Sequence, residues 1–271
     1  RLKAADALLG VVLDTAGQPR LAWWPVAYAL SRTDDPRVVP ALLTLLRSGG
    51  SVTRAFAARG LGARNATASA GALVPLAQAW RSDPRVAVSA IRALAQMGAG
   101  EAAAPLRALA LARDVDPNVR LEAVTALGAL KDHEAVGLVL DAVTDPWPAM
   151  RAAGLRALKN IDLDTFVIVL SGLDADPHPS VRTAIVSLLP ALGPSRAVPR
   201  LVALMEGDDP AVAAAAIEAM AGLPETPKAF ASALLRLLAG GDVMVRSAAA
   251  SALGAVKPAG GDVALAAAYR A

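Results

Sequence analysis

One period limits what this chain can fold into. The segment Asp116-Pro117-Asn118-Val119-Arg120, followed by LEAVTALGAL, recurs when Val119 is used as an anchor, with Thr53, Val86, Met150, Val181, Val212 and Val245 in the same place. Successive anchors lie 31 or 33 residues apart, and one further step back reaches Ala22, which makes eight units. A repeat of this length is a single supersecondary unit that cannot bury its apolar face alone, so neighbours must stack.

Each unit reads as two helices. One begins at Asp-Pro: the aspartate accepts hydrogen bonds from free first-turn amides, and proline at the first helical position gives up an amide that has no partner. From Val119, the residues Ala123, Ala126, Leu127 and Leu130 fall at i+4, i+7, i+8 and i+11, a single helical face. Gly128, Gly62 and Gly254 are expected to close their helices. The other helix carries Val39-Pro40, Val74-Pro75, Ala104-Pro105 or Val198-Pro199, with proline expected near its start, followed by leucine-rich text such as ALLTLL or RLVALM. The fold class is all-α, a superhelix of about eight two-helix units whose core runs along its length.

Composition agrees. Hydrophobic residues make up 55% of the 271, yet aromatics only 3%, so the apolar surface is mostly methyl groups suited to close helix packing. Arg, Asp, Pro or Gly interrupts every apolar run before the ~18 residues a spanning helix needs, which predicts no membrane insertion. With no cysteine there is no disulfide or thiolate chemistry, and cytoplasm and periplasm fit equally. The sequence opens at Arg1 without a signal-like segment, which implies that an upstream stretch, and any targeting signal with it, was removed.

The Asp-Pro-x-Val-Arg opening and its Val-Pro-x-Leu-x-x-Leu partner helix resemble the short bacterial HEAT repeat of the phycobilisome-lyase type, over nearly all of residues 20–256. The resemblance implies a single solenoid: eight units over 19–256, a partial upstream unit in 1–18 whose AADALLGVVL resembles a second helix, and the start of another in 257–271. Uncapped apolar text at both ends is what a piece of a longer array is expected to show. More distantly, WWPVAYALSRTDDPRVVPALL resembles HEAT arrays attached to cyclophilin-type peptidyl-prolyl isomerases, which would place an active site outside this chain.

The arginine after the anchor recurs as Arg54, Arg120, Arg151, Arg182 and Arg246, with Ala87 and Ala213 in two units. In HEAT families it resembles a structural ladder residue bonded to turn aspartates, here Asp83, Asp116, Asp145, Asp176, Asp209 and Asp242; an anion-binding stripe is the alternative. Charge divides the chain: residues 1–113 hold 14 Lys/Arg against 6 Asp/Glu, net +8, and 114–271 hold 13 against 18, net −5. Ten arginines lie from Arg37 to Arg113, among them Arg47, Arg81, Arg107 and Arg113, opposed locally by Asp83 and Glu101 alone. They read as solvated arginine, or as a basic stripe for an acidic protein segment or nucleic acid. Nucleic acid is disfavoured because only Phe56 and Trp80 interleave with them. HEAT-like alkylpurine DNA glycosylases bind DNA, yet no stretch aligns to their catalytic residues.

Trp23, Trp24 and Tyr28 read as core of the first unit or its upstream seam, or alternatively as an exposed anchor. Asp145-Pro146-Trp147-Pro148 and Asp176-Pro177-His178-Pro179 each insert two residues before the anchor, which puts Trp147 and His178 at equivalent loop positions, a contact ridge or a tryptophan folded back on its groove. His133-Glu134 resembles the His-Glu pairs of deoxyhypusine hydroxylases, whose di-iron site needs several, so no metal or other cofactor is expected. Phosphate-binding glycine loops and nucleophile elbows are absent. Phycobilin lyases share the repeat, but nothing else here selects a chromophore. The expected function is a non-catalytic scaffold binding a protein partner along a concave face formed by the proline-started helices. An accessory array of a larger enzyme and nucleic-acid binding through the basic half are the alternatives.

Overall fold

The computed structural model describes residues 2–172, 176–240 and 242–270. Two compact units emerge, residues 1–144 with 160–162, and 145–159 with 163–271. The first contains α1 (Leu2–Val12), α2 (Trp24–Arg32), α3 (Val38–Ser48), α4 (Ser51–Ala63), α5 (Ala70–Gln78), α6 (Pro84–Gln96), α7 (Ala103–Leu111), α8 (Pro117–Leu130) and α9 (Val136–Val143). The second is built on α10 (Pro148–Ile161), α11 (Leu163–Gly172), α12 (Pro179–Leu188), α13 (Pro194–Met205), α14 (Pro210–Ala221), α15 (Lys228–Leu238), α16 (Val243–Val256) and α17 (Gly261–Arg270). From α4 on, even-numbered helices carry the anchor positions, and odd-numbered ones are their partners.

In the first unit α2 packs on α4, α4 on α6 and α6 on α8, while α3, α5 and α7 each pack on the even helix that follows. In the second, α12, α14 and α16 pack in series and α13 and α15 brace the last two. The residue eight places after each anchor holds this layer together: Leu30, Leu61, Leu94 and Leu127 in one unit, and Leu158, Leu189, Met220 and Leu253 in the other, are all buried. Each removes a full aliphatic side chain from water, which stabilises by about 1.5–3 kcal/mol.

Several local expectations change. Gly62, Gly128 and Gly254 lie inside α4, α8 and α16 rather than closing them. The left-handed position comes three residues later, at Asn65 (φ 49°), Gly98 (φ 64°), Lys131 (φ 54°) and Lys257 (φ 50°), because the helices run nearly one more turn. Gly62 instead permits close approach: a Cβ there would stand 2.8 Å from the Ala93 Cα of α6. Pro40 and Pro105 sit in the first turn as expected, but Pro75 and Pro199 lie inside α5 and α13. Helix α13 starts earlier, on Pro194, and α5 follows a 3₁₀ turn over Thr67–Ser69. Ala22 precedes its helix, since Pro25 cannot donate within a preceding turn and α2 starts around it.

Candidate functional site

The turns that begin the even helices come in two forms. Asp83, Asp116, Asp209 and Asp242 are N-caps whose carboxylates accept from first-turn amides at 2.8–3.2 Å. In the two longer turns the second proline starts the helix, so Trp147 and His178 take the place of the capping aspartate. The Trp147 carbonyl accepts from the Met150 and Arg151 amides, and His178 Nδ1 accepts from the Ser180 amide at 3.3 Å. The displaced Asp145 and Asp176 accept instead from the amides of Trp147 and His178, each at 2.8 Å. Trp147 is 36% exposed and His178 is exposed, at equivalent places in consecutive repeats.

The arginines after the anchors act on these turns. Arg151 reaches forward one repeat to grip Asp176 through Nε and Nη2, at 2.7 and 2.8 Å, while its Nη1 donates to the carbonyls of Asp145 and Pro146. Arg182 repeats this, donating to Asp209 at 2.6 Å and to the carbonyls of Asp176 and Pro177. The Arg151 and Arg182 guanidiniums hold the Asp176 and Asp209 carboxyls below the ordinary carboxylate range. Arg120 Nε donates to the Ala110 carbonyl and Arg246 Nη1 to that of Gly240. Arg54 departs from the pattern. Its own turn has Gly50 where the others have aspartate, and its Nε is buried without a hydrogen-bond partner.

The basic stretch of the first unit is less bare than its local sequence suggests. Arg37 binds Asp6 and Asp35, Arg81 binds Asp114, Arg92 binds Glu122, and Arg107 binds Asp132 and Glu134. Asp83 and Glu101 are therefore not the only opposing acids, because stacking brings in carboxylates from a neighbouring repeat. Arg107 is mostly buried in its pair, and Arg81 also lies over the Trp80 ring at 4.5 Å. Arg47 and Arg113 are exposed. Glu134, of the lone His-Glu pair, is committed to Arg107 at 2.7 Å. Among the described residues no three His, Asp or Glu side chains are grouped as metal ligands, and no helix is long and apolar enough to cross a membrane.

The aromatic residues correct the reading as core. Trp23, Trp24 and Tyr28 are 57%, 47% and 49% exposed. Trp24 stacks on Phe56 of α4 with centroids 6.4 Å apart, Tyr28 meets the same ring edge-on at 5.3 Å, and Arg59 caps it at 5.4 Å. Local sequence shows only half of this cluster. The signal for the rest is the period itself, since residues one repeat apart become neighbours when α2 packs on α4.

The family model for HEAT repeats matches residues 108–173 and 166–254, more than half of the chain. Among solved structures, the complex of CpcE and CpcF of phycocyanin lyase from Nostoc sp. PCC7120 is 19% identical over 92% of this chain and 94% of that one, with a TM-score of 0.55, a likeness of fold. Human deoxyhypusine hydroxylase in complex with glycerol is 20% identical over 94% of this chain and 96% of that one, with a TM-score of 0.39. An engineered protein is 28% identical over 81% and 96%, with a TM-score of 0.37. No curated protein sequence matches the chain significantly.

Proposed function

The chain belongs to the HEAT-repeat family, and from that premise we propose that it is a non-catalytic scaffold that holds a protein partner along the outer faces of its even-numbered helices. The observation that carries the reading is the layer these helices form within a unit. Side-by-side packing of α2, α4, α6 and α8 puts equivalent positions of consecutive repeats next to one another, so exposed side chains such as Tyr28, Arg59 and Arg92 form rows. Rows of this kind recognise an extended surface by shape and charge, with affinity concentrated in a few aromatic and arginine contacts. That the lyase structure of similar fold is a complex of two chains, CpcE and CpcF, supports the choice of a protein partner.

Affinity capture tests this reading. The intact chain, immobilised and incubated with nuclease-treated lysate of its source organism, is expected to retain a defined protein that raised salt releases. Retention of nothing beyond what bare resin holds, or retention that nuclease abolishes, overturns it.

A further inference from the structure

We infer that the face of α2, α4 and α6 is a docking site for an acidic peptide segment that carries an apolar anchor residue. The inference rests on the scaffold reading and narrows it to one surface and one partner chemistry.

Two rows cross this face. Tyr28 of α2, Arg59 of α4 and Arg92 of α6 make one; Val52 of α4 and Arg85 of α6 make the other, with Leu21, at the same repeat position, in the segment before α2; both change from apolar to cationic in the same direction. Leu21 is 60% exposed and Val52 37%, and Arg59 and Arg85 are also exposed. At the apolar end the rings of Trp24, Tyr28 and Phe56 are already packed together, so little side-chain entropy remains to be lost on binding. Trp23, edge-on to Trp24, borders a cleft of about 250 Å³ lined by Val11, Leu21, Pro25 and Val26. That volume is below the roughly 300–1,000 Å³ of small-molecule sites and suits one inserted side chain.

Charge selects the rest of the ligand. No aspartate or glutamate occurs in α2, α4 or α6, while Arg32, Arg54, Arg59, Arg85 and Arg92 do. Arg92 is engaged by Glu122 of α8, and the nearby Asp83 is occupied as the N-cap of α6. Arg59 is exposed and lies over the Phe56 ring at 5.4 Å, and among the described residues its side chain makes no hydrogen bond or ion pair. Carboxylates lying past the aromatic patch therefore meet Arg59 and Arg85, with bidentate geometry available to each guanidinium. A partner of positive or neutral sequence would leave these cations uncompensated.

The test is fluorescence anisotropy of the full chain with a labelled synthetic peptide in which leucines are spaced among glutamates and aspartates. Binding that weakens with salt is expected, and the analogue with lysine in place of every acid should bind at least about tenfold more weakly. Trp24→Ala with Tyr28→Ala, and Arg59→Glu with Arg85→Glu, should each weaken binding about tenfold or more, while Arg200→Glu stays within about twofold. For a readout that needs no variant, a photo-crosslinking version of the peptide should label α2 and α4 of the unmodified chain. The inference falls if the peptide does not bind, if both folded double variants bind it normally, if crosslinks map outside α2–α6, or if oligothymidylate displaces the peptide and binds more tightly. Lysate capture that survives in the double variants would sink this site while leaving the scaffold reading intact.

Discussion

At the scale of single residues, the ladder shows how one charge can organise a turn. Asp176 lies beneath the Arg151 guanidinium, with side-chain exposures of 7% and 15%, and also accepts the His178 amide. Asp176→Ala should destabilise the second unit by about 2 kcal/mol, read by chemical denaturation, because a nearly buried arginine loses its acceptor. Asp176→Asn keeps the turn hydrogen bond and should recover part of the loss. The pH dependence follows from direction. Asp176 and Asp209 both titrate lower folded than unfolded, so their contribution is fully present above the unfolded carboxylate value near ~4 and is lost as pH falls through the folded values. Melting temperature should stay level from neutrality to about pH 5 and drop below about pH 4, with a smaller drop in Asp176→Asn. Lys131 poses a separate question, since it holds φ at 54° beyond the end of α8. Lys131→Gly should raise stability by up to about 1 kcal/mol, as glycine takes that conformation without a Cβ clash; Gly98 already stands at the equivalent place after α6.

At the scale of the element, one repeat position has two meanings. Gly62 and Gly254 both come nine residues after their anchors, and both are helical. A Cβ on Gly62 would meet Ala93 Cα at 2.8 Å, backbone of α6 that cannot yield without separating two helices, whereas nothing lies within 4 Å of one on Gly254. Gly62→Ala should therefore cost about 1–3 kcal/mol by overpacking, and Gly254→Ala should gain up to about 1 kcal/mol through helix propensity. Equal effects in denaturant titrations would contradict this account of how α4 and α6 meet. On the other side of α4, a Cβ on Gly60 would stand 3.1 Å from Ser31 Cα of α2, and there Trp24 and Tyr28 of α2 share the Phe56 ring of α4.

At the scale of the whole molecule, stability in a repeat chain is a sum of units and nearest-neighbour interfaces rather than the property of one core. With two compact units, calorimetric unfolding should give an enthalpy larger than its van't Hoff value, and Asp176→Ala should move only part of the transition. A single two-state transition that shifts as a block would refute this. Charge behaves similarly. The net +8 of residues 1–113 is a sum that stacking partly quenches; Arg59, beside the Phe56 ring, and Arg85, on the next even helix, stay exposed.

The period, the all-helical class, the aspartate caps and the buried leucine eight places past each anchor were legible because each depends on chemistry within one helical turn or on strict recurrence. The recurrence of arginine after five of the anchors was legible for the same reason. The exposure of Trp23, Trp24 and Tyr28 was not, since an aromatic pair at i and i+4 suits a core and a surface equally. Nor were the cross-repeat partners of Arg81, Arg92 and Arg107, which lie 25 to 33 residues away. Local chemistry determined where the helices capped by Asp83, Asp116, Asp209 and Asp242 begin. Only the packing of one helix on the next decided which side chains stay in water and which charges stay free.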